Sequence, residues 1–310
     1  MKKISIVTPC FNEEENVFEL YLAVKNIMQN INENYNYEHI FIDNCSTDNT
    51  ANILRKIAHE DKNIKVIINS RNFGHFKSPI YGIFQSDGDA TILLCADFQD
   101  PPSMIVDFIK KFDEGFEIVI ATKTNSRENS LMFKIRNFYY NILASLSEVK
   151  IYKNFTGFGL YSKRVINEIK KLNDPHPFFR GMIAEVGYKS TTIDYIQPAR
   201  KKGFSKNNFY HLYDLGILGI ISNSKIPLRI AVFTGAIFSI LSLLIGFGYF
   251  IAKLIFWDKI NLGIAPLIIM SSLMFSVLLF FIGVIGEYVG EIYTQVLNRP
   301  LVHEQERINF

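Results

Sequence analysis

The sequence predicts an α/β domain on a mostly parallel sheet, followed by two apolar helices of membrane-spanning length. Three observations carry this. Over the first two hundred residues, β-rich runs alternate with helical stretches, the order that builds a parallel sheet with crossover helices. The runs are almost continuously apolar, as strands covered on both faces are. Beyond residue 226, segments 230–252 and 262–285 carry no charge, and each exceeds the roughly 20 residues that cross about 30 Å of hydrocarbon.

Taken in order, KISIVTP (3–9), EHIFID (38–43), IKVII (64–68), TILLCAD (91–97) and EIVIA (117–121) read as strands. Residues 15–30, 47–59, 76–85 and 102–114 read as the helices between them. Ligands of open α/β sheets bind beyond the carboxyl ends of the strands. The first strand runs into Pro9, Cys10, Phe11, Asn12 and Glu13, and the second into DNCSTDNT (43–50). The fourth runs into Cys95, Asp97, Gln99 and Asp100. These three polar clusters are expected side by side along one edge.

The 310 residues carry a net charge of +3, with a mean hydropathy of +0.12. From residue 227 onward there are five Lys/Arg and five Asp/Glu, which leaves 28 and 25 of the totals of 33 and 30 before it. No strongly basic domain results, so nucleic acid is not an expected partner. The three cysteines lack C-x-x-C spacing and are read as small, half-buried fillers rather than disulfides or metal ligands. The N-terminal MKKISIVTPCFNEEEN has only a strand-length apolar stretch and is no signal peptide, so a cytosolic start is expected.

Residues 200–229 hold six Lys/Arg against one Asp. By the positive-inside rule that flank is cytoplasmic, which gives an inner-membrane hairpin with both ends in the cytosol and Trp257 at an interface. The competing reading is a pair of buried core helices. The expected division is a globular domain over 1–205 and a juxtamembrane interfacial region over 206–228. A two-helix hairpin over 229–286 and a cytoplasmic tail over 287–310 complete it. Stretches 131–146 and 207–223 are amphipathic or apolar and suit either a core-packing or a membrane-surface helix.

Within the polar clusters, Asp43 closes a strand, where a carboxylate can accept from a base or ribose or stabilise the turn. Asp48, with Ser46 or Thr47, suits a helix N-cap. Asp97 and Gln99 form an oxygen-rich rim of the kind that magnesium and manganese prefer. Asp100, directly before Pro101 and Pro102, is expected to cap the next helix.

TPCFNEEENV, IDNCSTDNT, NSRNFGH, CADFQDPP and ARKKGFSKNN, followed by two spans and IGEYVGEIYTQVLNRP, together resemble one family. It is the membrane-bound polyprenyl-phosphate glycosyltransferases of glycosyltransferase family 2, which include bactoprenol glucosyltransferases and dolichol-phosphate mannose synthases. The resemblance implies a GT-A fold and an inverting, Mg2+- or Mn2+-dependent transfer from a nucleotide-sugar, by analogy a UDP-hexose, to a polyprenyl (undecaprenyl) phosphate. It implies nucleotide contacts at Pro9, Phe11 (replacing tyrosine), Glu13, Asp43, Cys95 and Ala96, and metal ligation by Asp97 and Gln99. Arg200 and Lys206, from R-x-x-G-x-S-K, would meet phosphates and share catalysis with Asp97. Lys123, with Arg127 as substitute, stands for an arginine that the family carries after its fifth strand. Homo-oligomers are implied as well.

Two departures stand out. Cys95 replaces the first aspartate of D-x-D-x-Q, and TGFGLY (156–161) lacks the aspartate of T-G-D-F, so no general base is assigned. Glu185 is an acidic candidate for which a structural role in its helix is expected. Sugar choice is expected to rest on Lys123 and residues 156–161. The competing functions are transfer to a lipid-linked saccharide and an inactive membrane scaffold.

Overall fold

The structure is a computed structural model that describes residues 1–31, 35–125, 152, 154–198, 226–256 and 263–310. Its first half alternates as expected: β1 (Lys2–Cys10), α1 (Val17–Asn30), β2 (Tyr35–Asp43), α2 (Thr50–Glu60), β3 (Ile64–Asn69), α3 (Gly74–Phe84), β4 (Ala90–Leu93), α4 (Met104–Asp113) and β5 (Ile118–Asn125). Then follow β6 (Phe155–Ser162), α5 (Lys163–Lys171), α6 (Phe179–Val186), β7 (Ser190–Ile196), α7 (Ile226–Ile255), α8 (Ile264–Leu297) and β8 (Glu304–Ile308). The eight strands form one sheet in the order β7-β5-β6-β4-β1-β2-β3-β8.

Strand direction places the loops. β1 lies between β2 and β4 and is parallel to both, and β3 is parallel to β2. β6 runs antiparallel to β4 and β5, and β7 runs parallel to β5. The carboxyl ends of β1, β2, β3, β4, β5 and β7 therefore share one edge with the start of β6. The sheet is mixed, and its parallel part is the part with the clearest apolar runs.

Alternate residues of each strand feed two cores. Ile4, Ile6, Phe41, Val66 and Ile92 pack under α1, α2 and α4 with Val17, Leu20, Leu54, Ile105 and Phe108. Val7, Ile40, Ile42 and Ile67 pack under α3, α5 and α6 with Ile80, Ile83, Val165, Ile169 and Met182. Each such side chain, fully withdrawn from water, contributes about 1.5–3 kcal/mol. Gly159 of β6 allows the sheet to close here, since a Cβ on it would lie 2.3 Å from the Val119 carbonyl oxygen.

Two expectations change, one about the end of the chain and one about the fourth strand. The tail expected over 287–310 is instead the last turns of α8 and a strand, β8, which adds antiparallel to β3. The EQERI run hid it, because an edge strand tolerates the charges that mask its periodicity. Arg55 reaches Glu306 at 2.8 Å, Tyr81 donates to Glu304 at 2.8 Å, and Asn309 donates to the carbonyls of Ala58 and Ile64. The fourth strand also ends earlier than expected, at Leu93, because residues 95–100 form a turn of their own. Stretches 131–146 and 207–223 lie outside the described residues.

α7 and α8 are long and apolar enough to cross a membrane. Mean hydropathy is 2.4 over Leu228–Gly248 and 1.8 over Met274–Leu297, and of the residues described there only Ala231 is buried. A buried core pair is therefore not what they form within this chain. At about 1.5 Å per residue, the 34 residues of α8 span about 51 Å, well beyond a hydrocarbon core of about 30 Å. Its final turns meet the loop before α6, where Glu291 lies 3.3 Å from His176 and Gln295 donates to Asp174 at 2.8 Å.

At the opposite, amino edge of the sheet two ionisable groups are held against their solution preferences. Glu38 is buried, which by itself raises its pKa. Hydrogen bonds from Lys3, Lys65, Ser5 and the Asp87 amide outweigh that and hold it at about 2. His39 is fully buried beside Thr8, and burial lowers its pKa to about 3. Both native values lie below the unfolded ones. Their stabilisation is thus complete above about pH 6.5 and is lost first through His39 and then, below about pH 4.5, through Glu38. Urea midpoints should fall between pH 7 and 5, and His39→Gln should remove up to about 1.4 kcal/mol per pH unit of that slope. Gly159→Ala should cost at least about 2 kcal/mol by forcing β5 and β6 apart, read as a lower thermal midpoint.

Candidate active site

Three loops meet at the carboxyl edge, and each contains one residue in the left-handed region. These are Asn12 (φ 56) after β1, Cys45 (φ 62) after β2 and Phe98 (φ 57) after β4. Left-handed backbone at residues other than glycine costs about 1–2 kcal/mol and persists where its surroundings fix it.

The first two loops are fixed by each other. Asn12 Oδ1 accepts from the Thr47 amide at 2.8 Å, and the Asn12 amide donates to Ser46 Oγ at 2.8 Å. The Glu13 amide donates to Thr50 Oγ1 at 2.9 Å, and Glu14 accepts from the Asn49 amide at 2.9 Å. Asp48 accepts from the Thr50 amide at 3.0 Å, but the expected N-cap is not formed there: Asn49 holds the N-cap position of α2, and its side chain makes no capping bond. Asp43 has no exposed surface, and its two oxygens accept from the Ser46 amide and hydroxyl. Burial raises its pKa against those bonds. In this structure it stabilises the turn. Pro9, Phe11 and Glu13 are half-exposed beside it.

The β4 loop carries the oxygen-rich rim. Asp97 and Gln99 are half-exposed, and Asp97 Oδ1 accepts from the Gln99 amide at 3.1 Å across the left-handed Phe98. Ala96 and Phe98 are buried beneath them. Asp100 does not cap α4, as the sequence led one to expect. The first amides of that helix, Met104 and Ile105, bond to the carbonyls of Pro101 and Pro102. Asp100 is 5% exposed and instead accepts from the Tyr195 hydroxyl at 3.0 Å, beside the Cys95 thiol. Burial raises the pKa of Asp100, opposed by the Tyr195 bond. The Cys95 thiol is pushed well up by burial and then by Asp100 and Asp97, so it stays protonated.

That chemistry tests the expected metal. A protonated thiol beside a carboxylate is no ligand for a hard cation, which leaves one carboxylate and one amide, Asp97 and Gln99. Among the described residues no group of three or more His, Cys, Asp or Glu side chains could hold a metal. One carboxylate with phosphate oxygens and water is nevertheless a usual magnesium set. The residues fit a metal shared with a bound diphosphate.

Lys123, half-exposed on β5, adds positive charge near Cys95 and Asp100. Of residues 156–161 only Thr156 is exposed, so that segment contributes one side chain to the edge rather than a pocket wall. Phe158, where the family pattern has aspartate, is buried edge-on between Phe108 at 5.0 Å and Tyr195 at 5.6 Å. Glu185 is exposed at the end of α6, which leads into the amino end of β7, on the edge away from the site. Arg127, Arg200 and Lys206 lie outside the described residues. Sequence reasoning missed Tyr195, whose single burial in the alternating STTIDYI was its one signal. It also missed the amide network of Asn44, Asn69 and Asn72 that ties β2 and β3 to α3.

Residues 5–185 match the model of glycosyl transferase family 2. The chain belongs to that family. It is a glycosyltransferase, and the mixed sheet is the GT-A fold. The chain is 35% identical over 299 residues to an uncharacterized glycosyltransferase of Bacillus subtilis, covering 96% of this chain and 91% of that one. It is 33% identical over 299 residues to the SfII prophage-derived bactoprenol glucosyl transferase of Shigella flexneri, covering 96% of each. In fold it is similar to glucosyl-3-phosphoglycerate synthase from Mycobacterium tuberculosis, solved with Mn2+, UDP and phosphoglyceric acid. That match has a TM-score of 0.50 and 14% identity, over 71% of this chain and 76% of that one.

Thiol chemistry checks the Cys10 geometry. Cys10, buried with its thiol pKa raised by burial, should resist iodoacetamide at pH 8 in the native protein. It should label after unfolding, as read by peptide mass.

Proposed function

We propose that this glycosyltransferase moves a hexose from a uridine diphosphate sugar to a polyprenyl phosphate at the cytoplasmic face of a membrane, with inversion at the anomeric carbon. One observation carries the reading beyond the family. Both connections between the sheet and the apolar helices leave from the ligand edge, the first from the end of β7 and the second into the start of β8 opposite Asn69. A site built on that edge is tied to the hairpin at both ends, which suits an acceptor whose reacting group sits at a bilayer surface. The bactoprenol acceptor in the name of the Shigella relative agrees with this.

The acceptor is a phosphate monoester, already anionic near neutral pH, so its oxygen attacks without a strong base. This suits a chain with Phe158 where the T-G-D-F pattern has an aspartate. As the new bond from the phosphate oxygen to the anomeric carbon forms, the bond from that carbon to the donor diphosphate oxygen breaks, and UDP departs with the electron pair. Asp97 and Gln99 would hold a divalent cation, which when bound neutralises charge on the departing diphosphate. Pro9, Phe11 and Glu13 would form the nucleotide side, on the turn that the buried Asp43 holds, with Ala96 beneath. Lys123 would face the sugar phosphate, and Arg200, Lys206 and Arg127 would supply further cations.

Membranes containing the protein should transfer radiolabelled sugar from a UDP-hexose to undecaprenyl phosphate. Asp97→Asn should reduce that rate by at least about 100-fold, a loss of about 2.7 kcal/mol or more in transition-state stabilisation. Cys95→Ser, which keeps a neutral group beside Asp100, should stay within about threefold. Equal damage from the two would overturn the assigned roles, and no transfer from any common donor would overturn the proposal.

A further inference from the structure

We propose that Tyr195 and Asp100 form a buried clamp that positions the metal-bearing turn. The inference rests on the function proposed above. The Asp97–Phe98–Gln99 turn is strained at Phe98, and its internal bond from the Gln99 amide is half-exposed. Something rigid must hold it, since an exposed amide–carboxylate bond alone competes with water.

The rigid part lies directly beneath. Asp100 and Tyr195 are 5% and 6% exposed, and the hydroxyl–carboxylate distance is 3.0 Å. Tyr195 is fixed in turn, because Phe158 packs edge-on against its ring. Tyr195 belongs to β7, at the far end of the sheet order from β1 and β2. Through this bond the outer strands set where Asp97 and Gln99 present their oxygens. The Cys95 thiol lies beside the same carboxylate. A second carboxylate at position 95 would face Asp100 there, whereas a protonated thiol brings no charge.

Tyr195 and Asp100 are thus positioning residues, and metal affinity reads their action directly. Mn2+ binding to the full-length protein in detergent should be measured by the loss of the free-ion electron paramagnetic resonance signal, with UDP present. UDP binding in EDTA and the thermal midpoint should be measured alongside. Tyr195→Phe keeps the ring and should weaken Mn2+ about tenfold while UDP binding in EDTA stays within twofold. Tyr81→Phe, which removes a comparable tyrosine–carboxylate bond to Glu304 on β8, should leave Mn2+ affinity unchanged. If the unaltered protein binds Mn2+ and Tyr195→Phe binds it equally well, the clamp is overturned and the proposed function stands. If the unaltered protein binds no Mn2+, the metal reading falls and the clamp with it.

Discussion

The molecule depends on the parallel alignment of β1 with both β2 and β4. In-register parallel pairing lets three loops from distant parts of the sequence leave the sheet side by side, all in the same direction. No single loop makes a site. Pro9 to Glu13, Asp43 to Thr50 and Cys95 to Asp100 become one because the strands behind them are fully buried and cannot slip. A slip by one residue would exchange Ile4 and Ile6 for Ser5 and Val7 between the two cores.

Polar groups at the two edges of the sheet do different work. At the amino edge Glu38, Lys3, Lys65 and Ser5 close on one another, which stabilises the domain and leaves nothing for a ligand. At the carboxyl edge the hydrogen bonds fix backbone, and they hold Asn12, Cys45 and Phe98 in conformations these residues do not choose. That edge keeps half-exposed oxygens on Asp97 and Gln99 and a cation on Lys123. Strain and half-exposed polar groups coincide there, as they do at sites that must accept a ligand without rearranging.

The return of the chain after α8 adds a mechanical element. β8, Leu301 and Val302 pack on the domain, and the end of α8 bonds to the loop at Asp174 and His176. Both connections to the apolar pair therefore start from the carboxyl edge. A domain on one tether could turn freely, whereas two tethers leaving the same edge restrict it.

By itself the sequence determined the alternation of β1 to β5 with α1 to α4, the shared edge of the polar clusters and the two apolar helices. These follow from local periodicity and from residues that sit next to one another in the chain. Family membership followed from motifs of the same local kind. Only the tertiary structure decided the rest. β6 is rich in glycine, β7 alternates weakly and β8 is charged, so each becomes a strand through its neighbours rather than its own pattern. The partner of Asp100 lies 95 residues away on β7, and a hydrogen bond over that separation leaves no spacing to read. Two prolines after Asp100 pointed to a helix cap. Burial against Tyr195 and Cys95 overrode it, because a carboxylate withdrawn from water must be paired with whatever donors the fold brings to it.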